Sequence, residues 1–274
     1  MQGIGITGRV ACVIATALFL HSQVVSAGET MRVGGTGATN PTAKSLAPLF
    51  AAETGITLEV IPSLGTGGGN NALADGLLDI SISGRPLNAA EIAKGLTVAA
   101  ELRTPFGLAT SHPKPNGFKS AEFAAFYQSD KPVWNDGTPI RITLRPSNDS
   151  DSWFVGQMFP GMAAAIAKIR SRVDMTVAAT DQDNADMAEK TPGSLVGATL
   201  TQIKMEKRNL RFVAIDGVEP SMDDFKKGVY PYGKSLYIVL AAKKSQAGER
   251  FVAFLRTPKG VAALDEAGII LAVE

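Results

Sequence analysis

The chain has 274 residues, 45% of them hydrophobic and 19% charged, and a formal net charge of +1. That composition excludes a disordered or fibrous polymer. The balanced charge excludes an electrostatic grip on nucleic acid or on an acidic membrane, either of which needs a clustered basic face.

At the N-terminus, Arg9 is the only charged residue before Glu29. Val10 to Leu20 is apolar, and Val25-Ser26-Ala27 ends in a small-x-small pattern. Residues 1–27 therefore read as a secretory signal cleaved near Ala27, too short for a membrane span. Cys12, the only cysteine, and His21 fall inside it, and without it the chain carries 26 basic and 26 acidic residues. The mature protein is then left with no thiol or disulfide, and neither a metal nor a cofactor is expected. His112 remains alone in Ser-His-Pro-Lys-Pro, a loop composition that predicts a solvated histidine rather than a member of a catalytic triad.

The next 60 residues repeat one device. An apolar strand start, Met31 and Val33, runs into Gly34-Gly35-Thr36-Gly37-Ala38-Thr39-Asn40. Asn40 as N-cap and Pro41 at the first helical position predict a helix over 41–54, stopped by Gly55. Ile56 to Ile61 alternates as a strand, which predicts a parallel strand–helix–strand unit. A second loop, Ser63 to Asn71, is rich in glycine, and Leu73, Leu77 and Leu78 suggest a helix behind it. Strand Asp79 to Ser83 then leads into Gly84-Arg85-Pro86-Leu87, with Asn88 capping another helix.

Three glycine loops at successive strand ends offer backbone N–H and hydroxyl donors, with Arg85 as a cation. In open α/β sheets, ligands sit beyond the carboxyl ends of strands, and such loops suit a small oxyanion.

Val98 to Thr110 reads as one long extended run, 119–128 as a helix and Ile140 to Leu144 as a strand. Arg145-Pro146-Ser147-Asn148-Asp149-Ser150-Asp151-Ser152 enters a helix that is broken at Pro160-Gly161. Asp149 and Asp151 there are natural N-caps. Pro192 to Gly197 turns into a strand, Leu210 to Ile215 is another, and Ser235 to Ala241 is the candidate return crossing. Two amphipathic helices, about 246–256 and 259–267, end the chain. The simplest organisation is a first lobe of residues 28–108 and 236–274 with a second lobe, 109–235, inserted in it, and a ligand cleft between them.

Gly228-Val229-Tyr230-Pro231-Tyr232-Gly233-Lys234-Ser235 matches the P-loop pattern by letter. It lacks the chemistry, because a P-loop needs a helix after Lys-Ser and the following residues, Leu236 to Leu240, are β-type.

Gly35 to Pro41, Gly65 to Gly69, Leu78 to Leu87 and Pro192-Gly193-Ser194 occur in an order and spacing that resembles the periplasmic phosphate-binding proteins, the solute receptors of phosphate ABC importers. Gly217 to Ser221 and Gly228 to Pro231 resemble that family too. The resemblance implies a two-lobed α/β receptor with mixed sheets, located in the periplasm and expected to be a monomer. It would close on its ligand by a hinge, deliver it to a membrane permease, and catalyse nothing. Thr39 and Thr66 match family residues that bind phosphate oxygens, with Gly37, Ala38 and Gly67 beside them. Arg145 matches the family's cleft arginine.

Two departures stand out. The family places an Asp where this chain has Gly84, and there it accepts the proton of hydrogen phosphate; Arg85 is the neighbour here. The family follows its arginine with Gly-Ser-Gly-Thr, where this chain has Asn148-Asp149-Ser150-Asp151. Carboxylates there repel an oxyanion unless they accept its protons or point elsewhere. The candidate ligand residues are thus Gly37, Ala38, Thr39, Thr66, Gly67, Arg85, Arg145, Asp149, Ser150 and Asp151. Two alternatives stay open: a sensory domain reporting to a membrane partner, and a periplasmic hydrolase using Asp149 or Asp151 with Arg145.

Overall fold

A computed structural model describes residues 28–62 and 64–272. The expected signal segment, with Cys12 and His21, lies outside the described residues. The chain begins β1 (Thr30–Gly35), α1 (Thr39–Thr54), β2 (Thr57–Val60), α2 (Gly65–Ala74), β3 (Ile80–Ser83), α3 (Ala89–Ala93) and the long β4 (Thr97–Thr110). A 3-10 turn leads to α4 (Phe123–Gln128), β5 (Arg141–Leu144), α5 (Ser150–Met158), α6 (Met162–Arg170), β6 (Thr176–Val177), α7 (Asp181–Lys190) and β7 (Ser194–Thr199). It ends with α8 (Leu200–Met205), β8 (Arg211–Phe212), α9 (Met222–Lys226), β9 (Gly233–Leu240), α10 (Gln246–Leu255), α11 (Pro258–Glu266) and β10 (Ile270–Leu271).

The fold is mixed α/β. Strands run in the order β2-β1-β3-β9-β4-β7-β5-β6. β1 is parallel to β2 and β3, whereas β9 is antiparallel to both β3 and β4. β4 is the strand that both halves share. Its residues Thr97 to Pro105 pair with β9, and from Phe106 it pairs with β7. One hydrophobic core lies under β1, β3 and β9, with Met31, Phe50, Ile80, Ile238 and Phe251 fully buried. A second gathers Phe106, Phe123, Trp134, Met162 and Leu195. Phe50 meets Phe251 edge-on at 5.2 Å, and Phe123 stacks on Phe159 at 4.6 Å. No helix among the described residues is long and apolar enough to cross a membrane.

Several local expectations are corrected. α1 starts at Thr39, not Pro41; Ala38 is its N-cap and contributes no side-chain hydrogen bond. The glycine-rich second loop is itself the first two turns of α2, so the low helix propensity of Gly65 to Gly69 is overridden by tertiary contacts. Gly69 packs so tightly on Gly35 that a Cβ there would lie 2.4 Å from the Gly35 Cα, so packing explains glycine at that position. His112 is not a solvated loop residue. It is 5% exposed, stacks on Trp134 at 5.1 Å, and its Nε2 meets Asp136 at 2.9 Å.

β9 begins at Gly233, so Lys234 and Ser235 are strand residues and the P-loop pattern is excluded.

Candidate functional site

Four helix N-termini open on one cavity of about 420 Å³. Gly37 precedes α1, Leu64 to Gly68 form the start of α2, Asn148 to Ser150 the start of α5, and Ala179 to Gln182 the start of α7. Each start carries the positive end of a helix dipole. α1 and α2 have no side-chain cap; at α1 the Thr39 and Asn40 amides are taken by the carbonyls of Thr36 and Gly37 at 2.8 and 3.3 Å. α5 is capped by Asp149, which accepts from the Asp151 amide at 2.9 Å. α7 is closed by a reciprocal Thr180–Asp183 capping box.

Arg145 leaves β5 and is 7% exposed. Its guanidinium donates to the Ala178 carbonyl at 2.6 Å, to Asp149 at 2.9 Å and to Asp181 at 2.8 Å. Its Nε is buried without a hydrogen-bond partner, and so is the Oγ1 of Thr39. Buried polar groups are normally paired. Below them Lys234, 1% exposed, forms an ion pair with the buried Asp151.

The site is thus a five-charge cluster. One carboxylate oxygen from each of Asp149, Asp151 and Asp181 lies within 4.8 Å of the other two. Such a set of oxygens is what a hard cation uses, but here Arg145 and Lys234 are the cations. Three acids against two bases leave an excess of negative charge in a buried place. Burial first, and then the Asp151 charge, push Asp181 up to about 6 and raise Asp149 above the usual carboxylate range. Burial alone would lower Lys234, yet Asp151 and Asp181 beside it hold it above its ordinary value.

The start of α7 touches the loop before α1 here. A Cβ added to Gly37 would sit 2.4 Å from the Asp181 carboxylate carbon, and Gln182 donates to the Gly37 carbonyl at 3.2 Å. Likewise a Cβ on Gly84 would sit 2.6 Å from the Ser150 Oγ. An aspartate at position 84 would collide with Ser150 at the start of α5, which gives a steric reason for glycine there.

Of the residues singled out in the sequence, Gly37, Thr66, Gly67, Arg85, Arg145, Asp149 and Ser150 line the cavity. Thr66 is partly engaged, accepting from the Gly84 amide at 2.9 Å. Ala38 and Thr39 are buried at the start of α1, and Asp151 is buried behind the wall, facing Lys234. Arg85 departs from its expected part. Both of its terminal nitrogens are held by Glu91, at 2.8 and 2.9 Å, so its charge is neutralised. The Arg85 hydrogen bonds are also the main reason Glu91 is lowered to about 2.

Asp181, Gln182 and Lys234 went unseen in the sequence. Thr180-Asp181-Gln182-Asp183 does carry a capping pattern, which marks a helix start, but nothing local tells that its acids face a loop 144 residues earlier. Lys234 was hidden inside the false P-loop.

Residues 22–259 match the model of the PBP superfamily domain. No curated protein matches the chain. Among solved structures, a putative phosphate ABC transporter substrate-binding protein with bound phosphate from Clostridium perfringens superposes with a TM-score of 0.72 at 15% identity, covering 89% of this chain and 100% of that one. A phosphate-binding protein from Stenotrophomonas maltophilia gives 0.64 at 11% identity, with 88% and 90% covered. The periplasmic molybdate-binding protein of Azotobacter vinelandii gives 0.59 at 14% identity, with 89% and 100% covered. At these identities the likeness is one of fold.

Proposed function

We propose that this chain, which belongs to the PBP superfamily, is an extracytoplasmic receptor that closes on a small oxyanion, phosphate or a phosphate-like group, and hands it to an ABC-type permease. The observation that carries this reading is the convergence of four helix N-termini on one cavity beside a buried arginine. Amide donors and aligned helix dipoles bind an anion without any free side-chain cation. The partnerless donors, Arg145 Nε and Thr39 Oγ1, are the groups that oxyanion oxygens would satisfy.

The acids define how such a ligand enters. Asp181 holds Arg145 at 2.8 Å and rests against Gly37, in the place an anion between the lobes would compete for. Binding therefore requires Asp181 to swing away, to take up a proton, or to accept one from a protonated ligand. The cluster performs no bond chemistry in this reading: it binds, and the hinge opens and closes. Supporting it, the solved neighbours of similar fold are named as binding proteins.

Equilibrium dialysis of labelled phosphate, with sulfate, arsenate and molybdate as competitors, tests the proposal. Saturable binding of at least one of them is expected. Failure of all four to bind more tightly than about 1 mM, roughly −4 kcal/mol, contradicts it.

A further inference from the structure

The anion cavity has an annex. A second compartment of about 240 Å³ lies beside it, with Pro86, Ser147 and Trp153 as its own walls. It shares Arg85, Asn148, Asp149 and Ser150 with the anion cavity, so the two spaces adjoin along the start of α5. Trp153 is 59% exposed, whereas the other tryptophan, Trp134, is 1% exposed. The neighbours of Trp153 on α5 face inward: Phe154 meets Phe106 edge-on at 5.0 Å, and Val155 is buried. The indole is thus one turn from the helix start that serves the anion, and it is not spent on either core.

Size points the same way. A water takes about 30 Å³ of liquid, and a bare tetrahedral oxyanion has the bulk of a few waters at most. The anion cavity alone, at about 420 Å³, has the volume of sites that hold small organic molecules. Charge agrees too. Arg145 and Lys234 already face three carboxylates, and Arg85 is held by Glu91. A bare dianion finds no unshared cation among these, so affinity has to draw on contacts other than charge. An indole offers a large rigid apolar face for that purpose.

We infer that the ligand is a monosubstituted phosphoryl compound, an organic phosphate or phosphonate, with its anionic group at the four helix starts and its organic substituent against Trp153. The inference rests on the receptor reading and adds the identity of the ligand class. It assigns Trp153 a role in specificity: the seat selects the phosphoryl group and the annex selects what is attached to it.

Isothermal calorimetry on the purified protein separates the two levels. The probes are inorganic phosphate, methylphosphonate, phenylphosphonate and phenyl phosphate, each titrated into wild type and Trp153→Ala. Both phenyl compounds are expected to bind at least tenfold more tightly than inorganic phosphate, with methylphosphonate between them. In Trp153→Ala the ratio of phenylphosphonate to phosphate affinity is expected to fall close to one. A preference for phenyl phosphate over phenylphosphonate identifies the ester as the source; the reverse identifies the phosphonate. Equal affinity of phosphate and the phenyl compounds in wild type, or a preference that survives in Trp153→Ala, overturns the inference and leaves the receptor reading standing. No binding of any of the four overturns the inference, and the receptor reading falls with it only when sulfate, arsenate and molybdate also fail to bind.

Discussion

The Asp181 carboxylate rests on the Cα of Gly37: a methyl group there would sit 2.4 Å from the carboxylate carbon. The contact joins the start of α7 to the loop before α1, and Arg145 holds the Asp181 side chain there at 2.8 Å. Gly37→Ala is expected to push the two helix starts apart. Anion affinity should fall at least tenfold in calorimetry, while the melting temperature changes by only a few degrees.

Arg145 is the hub of the site, bonding the Ala178 carbonyl, Asp149 and Asp181 at once. Arg145→Ala leaves the buried Asp181 without its cation and Asp149 with only the Asp151 amide; stranding a buried charge costs about 3–5 kcal/mol in systems of this kind. Urea denaturation is expected to record a loss of that order, and phosphate binding should disappear. Arg145→Lys keeps one charge but cannot reach three partners with a single ammonium. It is expected to recover part of the stability and little of the binding.

Asp181 makes stability depend on pH in an unusual direction. Its folded carboxyl titrates near 6, against about 3.9 for an unfolded aspartate. The folded protein therefore holds more protons between those values, and stability falls as pH rises through that window. The penalty is complete above about pH 6 and relieved below about pH 4. Asp181→Asn removes it, because the cluster then has two acids for two bases. Thermal melts are expected to show the variant more stable than wild type at pH 7.5, with the gap closing toward pH 4.

Lys234 and Asp151 form an ion pair with almost no exposure on either side chain, 1% and 7%. Lys234→Met strands Asp151 in the interior and is expected to cost several kcal/mol. Adding Asp151→Leu in the same chain should restore much of that loss, since removing both charges avoids the desolvation penalty. Denaturant midpoints for the two singles and the double variant measure the coupling.

The fold was largely legible because its signals are local. The strand and helix periods through residues 30–110, the αL glycine at Gly55 and the Asn88–Glu91 capping box are written in short windows of sequence. The glycine-rich loops were visible for the same reason, as short runs of Gly and Thr at strand ends, although at Gly69 packing on Gly35 is reason enough for glycine. The electrostatics of the site was not legible. Arg85 looked like a ligand cation because its partner Glu91 reads simply as a helix-capping residue. Asp181 and Lys234 become site residues only when α7 and β9 are folded against Gly37 and Asp151, contacts that span 144 and 83 residues. His112 failed for a related reason: proline-rich neighbours suggest a loop, and they say nothing about what covers it, here the face of Trp134.

The central claim is that the four helix starts and Arg145 form a seat for an oxyanion. Calorimetric titration of inorganic phosphate into wild type and Arg145→Ala at pH 6 and pH 8 tests it most directly. The account predicts saturable binding to wild type, weaker at pH 8 when the ionised Asp181 competes for Arg145, and none to the variant at either pH. Absence of binding to wild type by phosphate, sulfate, arsenate and molybdate alike, or equal phosphate binding to the variant, contradicts it.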